Sequence, residues 1–148
     1  MTQEEKSLLL QDLCARLPYG VKVYALFDKE KPLTREMGLG TIHDFMFDNI
    51  EVKPYLRPMS SMTEEEKNEL ERLIDKKLNK HIDQEDNEWT PWVLYDTTGI
   101  KNDVGGERFY FDEMSFIYDW LNAHYFDFRN LIERGLAIEA PKDMYKID

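Results

Sequence analysis

Three histidines, one cysteine and 30 carboxylates are the side chains with which this polypeptide could do chemistry. A zinc or transition-metal centre needs three or four His, Cys or carboxylate ligands held together. None of His43, His81 and His124 has a second His or Cys at ligand spacing. His124 and Asp127 are three apart and can meet at a helix end. His43 precedes Asp44, but in a strand two successive side chains leave opposite faces and cannot act together directly. His124 or His43 with nearby carboxylates defines the one catalytic alternative, a small hydrolase-type enzyme. Cys14 lies beside an apolar stripe with no histidine near it in sequence. It is expected as a small buried hydrophobe rather than a nucleophile. The residues thus lean away from an enzyme, and they assign no catalytic, metal or cofactor-binding position.

The remaining motifs fail on chemical grounds. The acidic run Asp83, Glu85, Asp86, Asn87, Glu88 resembles a calcium loop, but its sixth position is Glu88 where a sharp turn demands Gly. Gly105-Gly106 precedes an expected strand, whereas a phosphate cradle needs a helix N-terminus behind it. No serine sits in a G-x-S-x-G elbow. The most unusual local feature is Trp89-Thr90-Pro91-Trp92, two indoles around a proline just after the acidic loop. One reading is a strand entry with both rings in the core. The other is a partner-binding surface made by Trp89 and Trp92 with Asp83, Glu85, Asp86 and Glu88.

The elements that must position these residues follow from periodicity and punctuation. Thr2 and Glu5 form a T-x-x-E capping box, and Leu9, Leu10, Leu13 and Leu17 give one stripe of a first helix that stops at Pro18–Gly20. Val21 to Asp28 alternates as a strand. Thr41 to Phe47 reads as a second, antiparallel strand, and Val52 to Leu56 as a third, confined to an edge or bulge by Pro54. Thr63 and Glu66 open a helix with a stripe of Leu70, Leu73, Ile74 and Leu78. Trp92–Tyr95 and Arg108–Phe111 read as short strands. Asp112 can cap a helix carrying Met114, Ile117, Tyr118, Trp120 and Leu121. Asp127 can cap a short helix ending at Gly135, before a last strand at Leu136–Glu139. No strand–helix–strand repeat appears. The expectation is an α+β fold: a mostly antiparallel sheet of roughly four to six strands with amphipathic helices on one face. Residues 1–148 are expected to form a single domain.

Composition narrows the function classes. Hydrophobic residues at 42% with eight Phe, eight Tyr and three Trp supply a core without disulfides. The net charge of −11 divides as −1 over residues 1–58, −6 over 59–111 and −4 over 112–148. No segment is basic, which disfavours nucleic acid and anionic membranes as partners. Asp127 to Arg134 could be the second helix of a winged helix-turn-helix, a DNA-binding alternative, but it offers only Arg129 and Arg134 against Asp127 and Glu133. One cysteine, no leader-like apolar segment and no apolar run near bilayer length point to a reducing, cytoplasmic setting.

Three stretches carry a resemblance: Leu13 to Val23 (LCARLPYGVKV), Val52 to Glu66 (VKPYLRPMSSMTEEE) and Asp119 to Pro141 (DWLNAHYFDFRNLIERGLAIEAP). They resemble a family of short uncharacterised proteins of gut Bacteroides and their phages and mobile elements. The resemblance implies a setting and no chemistry. The expected role is a non-enzymatic interaction or accessory protein of a bacterial or phage mobile element. It would bind a protein partner through an acidic and aromatic surface and use no cofactor.

Overall fold

The computed structural model describes residues 1–27, 31–47, 50–74, 80–82, 89–91 and 111–145. In chain order these form α1 (Gln3–Arg16), a 3-10 turn at Leu17–Tyr19, β1 (Lys22–Phe27), β2 (Leu33–Glu36), α2 (Leu39–Met46), β3 (Ile50–Pro58), a 3-10 turn at Met59–Ser61, α3 (Glu64–Ile74), β4 (Lys80–Ile82), β5 (Trp89–Pro91), α4 (Phe111–Ala123), β6 (Phe126–Asp127) and β7 (Ile138–Glu139). The fold class is α+β, with a five-stranded mixed sheet and a separate two-stranded one. The chain gathers into two compact units, one made of residues 1–57 and 122–148, the other of residues 58–121.

In the first unit β1 lies antiparallel between β2 and β3, in registers that place Val23 opposite Arg35 and opposite Pro54. β3 also pairs in parallel with β7, Tyr55 facing Ile138 and Leu56 facing Glu139, and adjoins β6. Every second residue of β3 from Ile50 to Leu56 is buried, as a strand with one covered face requires. These residues meet Val21 and Val23, Leu9 and Leu13 of α1, Ile42 and Phe45 of α2, and Leu131, Leu136 and Ala137 in one apolar core. α1 begins with the expected box: Glu5 N–H donates to Thr2 Oγ1 at 3.1 Å and Thr2 N–H to Glu5 Oε2 at 2.8 Å.

Several sequence expectations are corrected. The strand expected at Thr41–Phe47 is the helix α2. Its β-branched and aromatic residues suit a strand in isolation, but Thr41, Ile42 and Phe45 are the buried ones, and that spacing is a helical face. The strand paired with β1 on that side is β2 instead. β3 is central rather than an edge. Pro54 is tolerated because the ladder to β1 ends at Val23–Pro54 and the ladder to β7 begins only at Tyr55. Asp127 accepts from Leu131 N–H at 2.8 Å and Ile132 N–H at 2.9 Å, yet residues 131–135 form turns and no helix. Leu136 and Ala137 N–H both donate to Leu131 O, closing the segment early while Leu131, Leu136 and Ala137 enter the core. A winged-helix reading thereby loses its recognition helix. Gly135 does take the expected left-handed conformation, φ +75°. Phe111 begins α4 rather than ending a strand, so Asp112 lies inside the helix. Cys14 is exposed, not buried, because the stripe of α1 that enters the core passes through Leu9 and Leu13.

In the second unit α3 carries its own box, Glu66 N–H donating to Thr63 Oγ1 at 3.1 Å and Thr63 N–H to Glu66 Oε1 at 3.1 Å. Leu70 is fully buried, whereas Leu73, expected on the same stripe, is half exposed. Ile117, Trp120 and Leu121 of α4 are buried. β4 and β5 pair antiparallel, His81 opposite Thr90 and Ile82 opposite Trp89. The strand expected at Trp92–Tyr95 lies outside the described residues. No helix among the described residues is long and apolar enough to cross a membrane.

Candidate partner-binding surface

α2 is seated from several sides. At its start Thr41 and Ile42 N–H donate to Gly38 O at 3.1 and 3.3 Å, and Gly38 N–H donates to Thr41 Oγ1 at 3.3 Å. Arg35 Nη2 reaches the same Thr41 hydroxyl at 3.5 Å. At its end Lys6 Nζ donates to Met46 O at 3.1 Å, which sets a cation on the negative pole of the helix. The inward face holds Thr41, Ile42 and Phe45.

The outward face is apolar as well. Leu39 is 73% exposed, Phe47 64% and Met46 48%. The His43 side chain between them is 67% exposed, and its ring lies 4.8 Å from that of Phe47 at a tilt of 49°. Positions 39, 43, 46 and 47 fall on one side of a 3.6-residue period. A helix with apolar residues on both sides is ordinarily covered on both. Here the second side faces water, held on a helix that the core already fixes.

The structure corrects the geometry of His43 and Asp44. In a helix neighbours diverge by about 100°, not 180°, and Nδ1 of His43 comes to 3.5 Å from Oδ1 of Asp44. That is the outer limit of a hydrogen bond between exposed groups. His124 lies in the turn after α4, where its carbonyl accepts from Arg57 Nη1 at 3.4 Å. Its neighbour in the sequence argument, Asp127, has both oxygens committed to backbone N–H groups. Trp89 is in β5, while Trp92, Asp83, Glu85, Asp86 and Glu88 lie outside the described residues. Among the described residues no three His, Cys, Asp or Glu side chains gather as metal ligands would.

A second constellation is ionic and buried. Asp12 and Arg16, one helical turn apart on α1, are both fully buried. Arg16 Nε donates to both Asp12 oxygens at 3.1 and 3.0 Å, and Nη2 donates to Phe126 O at 2.7 Å. Arg129 Nη1 adds a third bond to Asp12 at 2.7 Å while its guanidinium stacks 4.3 Å from the Phe128 ring. Burial pushes the Asp127 carboxyl above its usual range. The backbone donors Ile132 and Leu131 and the positive charge of Arg16 pull the other way without overcoming it. This cluster fastens β6 and its following turn to α1.

Charge divides by unit. Residues 58–121 hold seven of the 19 basic and 16 of the 30 acidic residues, net −9, leaving −2 for the other unit. On α3, Glu64 and Glu65 are exposed, while Lys67 reaches Glu71 at 3.1 Å. No protein-family model, curated protein or solved structure matches the chain.

Sequence reasoning missed Leu39, Met46 and Phe47. Their signal was present as the spacing 39, 43, 46, 47, but the strand expected at Thr41–Phe47 hid it.

Proposed function

We propose that this protein is a non-enzymatic interaction protein that docks a basic, amphipathic protein segment, anchored on the outward face of α2. The observation that carries the reading is the contiguous exposure of Leu39, His43, Met46 and Phe47 on a helix whose other side is packed. Exposed apolar patches on a fixed scaffold mark interaction sites. The partner's chemistry follows from charge complementarity. A chain of net −11 attracts a cationic protein over long range and repels nucleic acid and anionic lipid. The anchor supplies apolar burial, and the field selects which apolar partner arrives. The resemblance of three stretches to proteins of Bacteroides mobile elements supports an accessory role in a bacterial or phage setting. The single cysteine supports a reducing, cytoplasmic one.

The test uses the full chain and three probes: a synthetic amphipathic helix of Leu and Lys, the same helix with Glu for Lys, and phosphatidylcholine vesicles. The Leu/Lys helix is expected to bind, to shift the NMR signals of Leu39, His43, Met46 and Phe47, and to weaken as salt rises from about 20 to about 200 mM, over which the Debye length falls from roughly 20 Å to roughly 7 Å. The double variant L39A/F47A should weaken binding about tenfold or more. Equal binding of the Glu helix, preferential binding of vesicles, or indifference to L39A/F47A would overturn the proposal.

A further inference from the structure

Residues 141–145 are tied into the first unit chiefly through Tyr145. The β1–β3 ladder ends at Val23–Pro54, and continuing its register would next oppose Lys22 and Tyr55. The Tyr145 hydroxyl occupies that step. It accepts from Lys22 N–H at 2.9 Å and donates to Tyr55 O at 2.7 Å, with Lys22 O at 3.4 Å as its other acceptor. Backbone groups of alternate strand residues share an edge, so Glu51, Lys53, Tyr55 and Arg57 address the same side of β3. Two residues beyond Tyr55 on that side, Arg57 N–H donates to Tyr125 O at 2.7 Å, immediately before β6. Tyr145 therefore fills the break along β3 between the end of β1 and the start of β6.

The two tyrosines are joined directly. Their rings stack at 3.8 Å and 11°. Tyr125 has φ +64°, a left-handed conformation that a bulky residue keeps only when its surroundings impose it. Its hydroxyl donates to Tyr19 O at 2.5 Å, and its N–H donates to Asn122 O at 3.1 Å. Lys22 Nζ adds a bond to Met144 O at 3.3 Å.

We propose that residues 141–145 form a strap whose key is Tyr145, so that engagement of the strap and seating of Tyr125 and β6 against β3 are one coupled event. Engaged, the strap completes the ladder and holds Tyr125 left-handed. Disengaged, it frees the Lys22 and Tyr55 backbone groups and the Tyr125 stack together. Burial pushes both tyrosine hydroxyls upward from their ordinary range, Tyr145 the further, which keeps each a neutral donor.

Amide hydrogen exchange read by NMR on the full chain tests the coupling. Y145F keeps the ring and removes the hydroxyl, so exchange at Lys22 should rise about fivefold to tenfold, the loss of one hydrogen bond. Y145A also removes the stack, so exchange should rise at Arg57 as well, with the amides of Leu9, Leu13 and Leu70 unchanged. Unaltered Lys22 exchange in Y145F overturns the proposal. So does unaltered Arg57 exchange in Y145A, or a rise at Leu9 and Leu13 equal to that at Arg57.

Discussion

At the scale of single residues the dominant fact is a fully buried ion pair inside a helix. Taking Asp12 and Arg16 out of water is costly, and the cost is offset only while each keeps the other together with Phe126 O and Arg129. Removing one member strands the second. Asp12→Ala is expected to destabilise the first unit by roughly 3–5 kcal/mol in urea unfolding, because it leaves a buried guanidinium without its counter-charge. The double variant D12A/R16M should recover much of that loss, since it leaves no buried charge without its partner. A double variant as unstable as the single one would show that the bonds to Phe126 and Arg129, not the pairing, set the energy. Nothing in the sequence marked these residues. Asp12 and Arg16 sit four apart in a helix, like many exposed pairs, and only the arrival of residues 126–129 more than a hundred positions later buries them.

At the scale of elements, local signals were legible and tertiary ones were not. The capping boxes at Thr2 and Thr63 and the alternation of β1 rest on neighbours within five residues, and each formed as read. α2 and β3 depend on what covers them. Thr41–Phe47 has strand-like composition and becomes a helix because three of its residues meet a core already built by α1 and the sheet. Pro54 argued for an edge strand, but β3 changes partners at that residue and so loses no bond. The candidate surface shared this fate: its spacing was visible, while its exposure depends on which side of α2 the core takes. The glycines separate in the same way. Gly20 has φ +73°, and a Cβ there would lie 2.5 Å from Glu36 Oε1, whereas Gly135 at φ +75° has open space around it. Both Gly→Ala changes should cost roughly 1–2 kcal/mol for the left-handed backbone. Gly20→Ala should exceed Gly135→Ala, as Glu36 must also move. Thermal melting of the two variants compares them directly, and equal losses would mean that the Glu36 side chain yields freely.

At the scale of the whole molecule, charge is unevenly shared. The unit of residues 58–121 holds more than twice as many acidic as basic residues, and like charges this dense repel one another in the folded state. Salt screens that repulsion, with a Debye length falling from about 30 Å at 0.01 M to about 8 Å at 0.15 M. The melting of α3, followed by helical circular dichroism, should therefore shift upward over that range. The near-neutral unit should move less, and a uniform response of both would show that local ion pairs such as Lys67–Glu71 already neutralise the acidic one.

The first unit is discontinuous, and β3 stands at its junction. β3 needs β1 from before it, and β6, β7 and Tyr145 from after residue 122. During synthesis the ribosome delivers the first three strands well before their final neighbours exist. Residues 58–121, which belong to the other compact unit, emerge in the interval. The earlier half must wait, with one flank of its sheet bare, until the last stretch of polypeptide arrives to complete it.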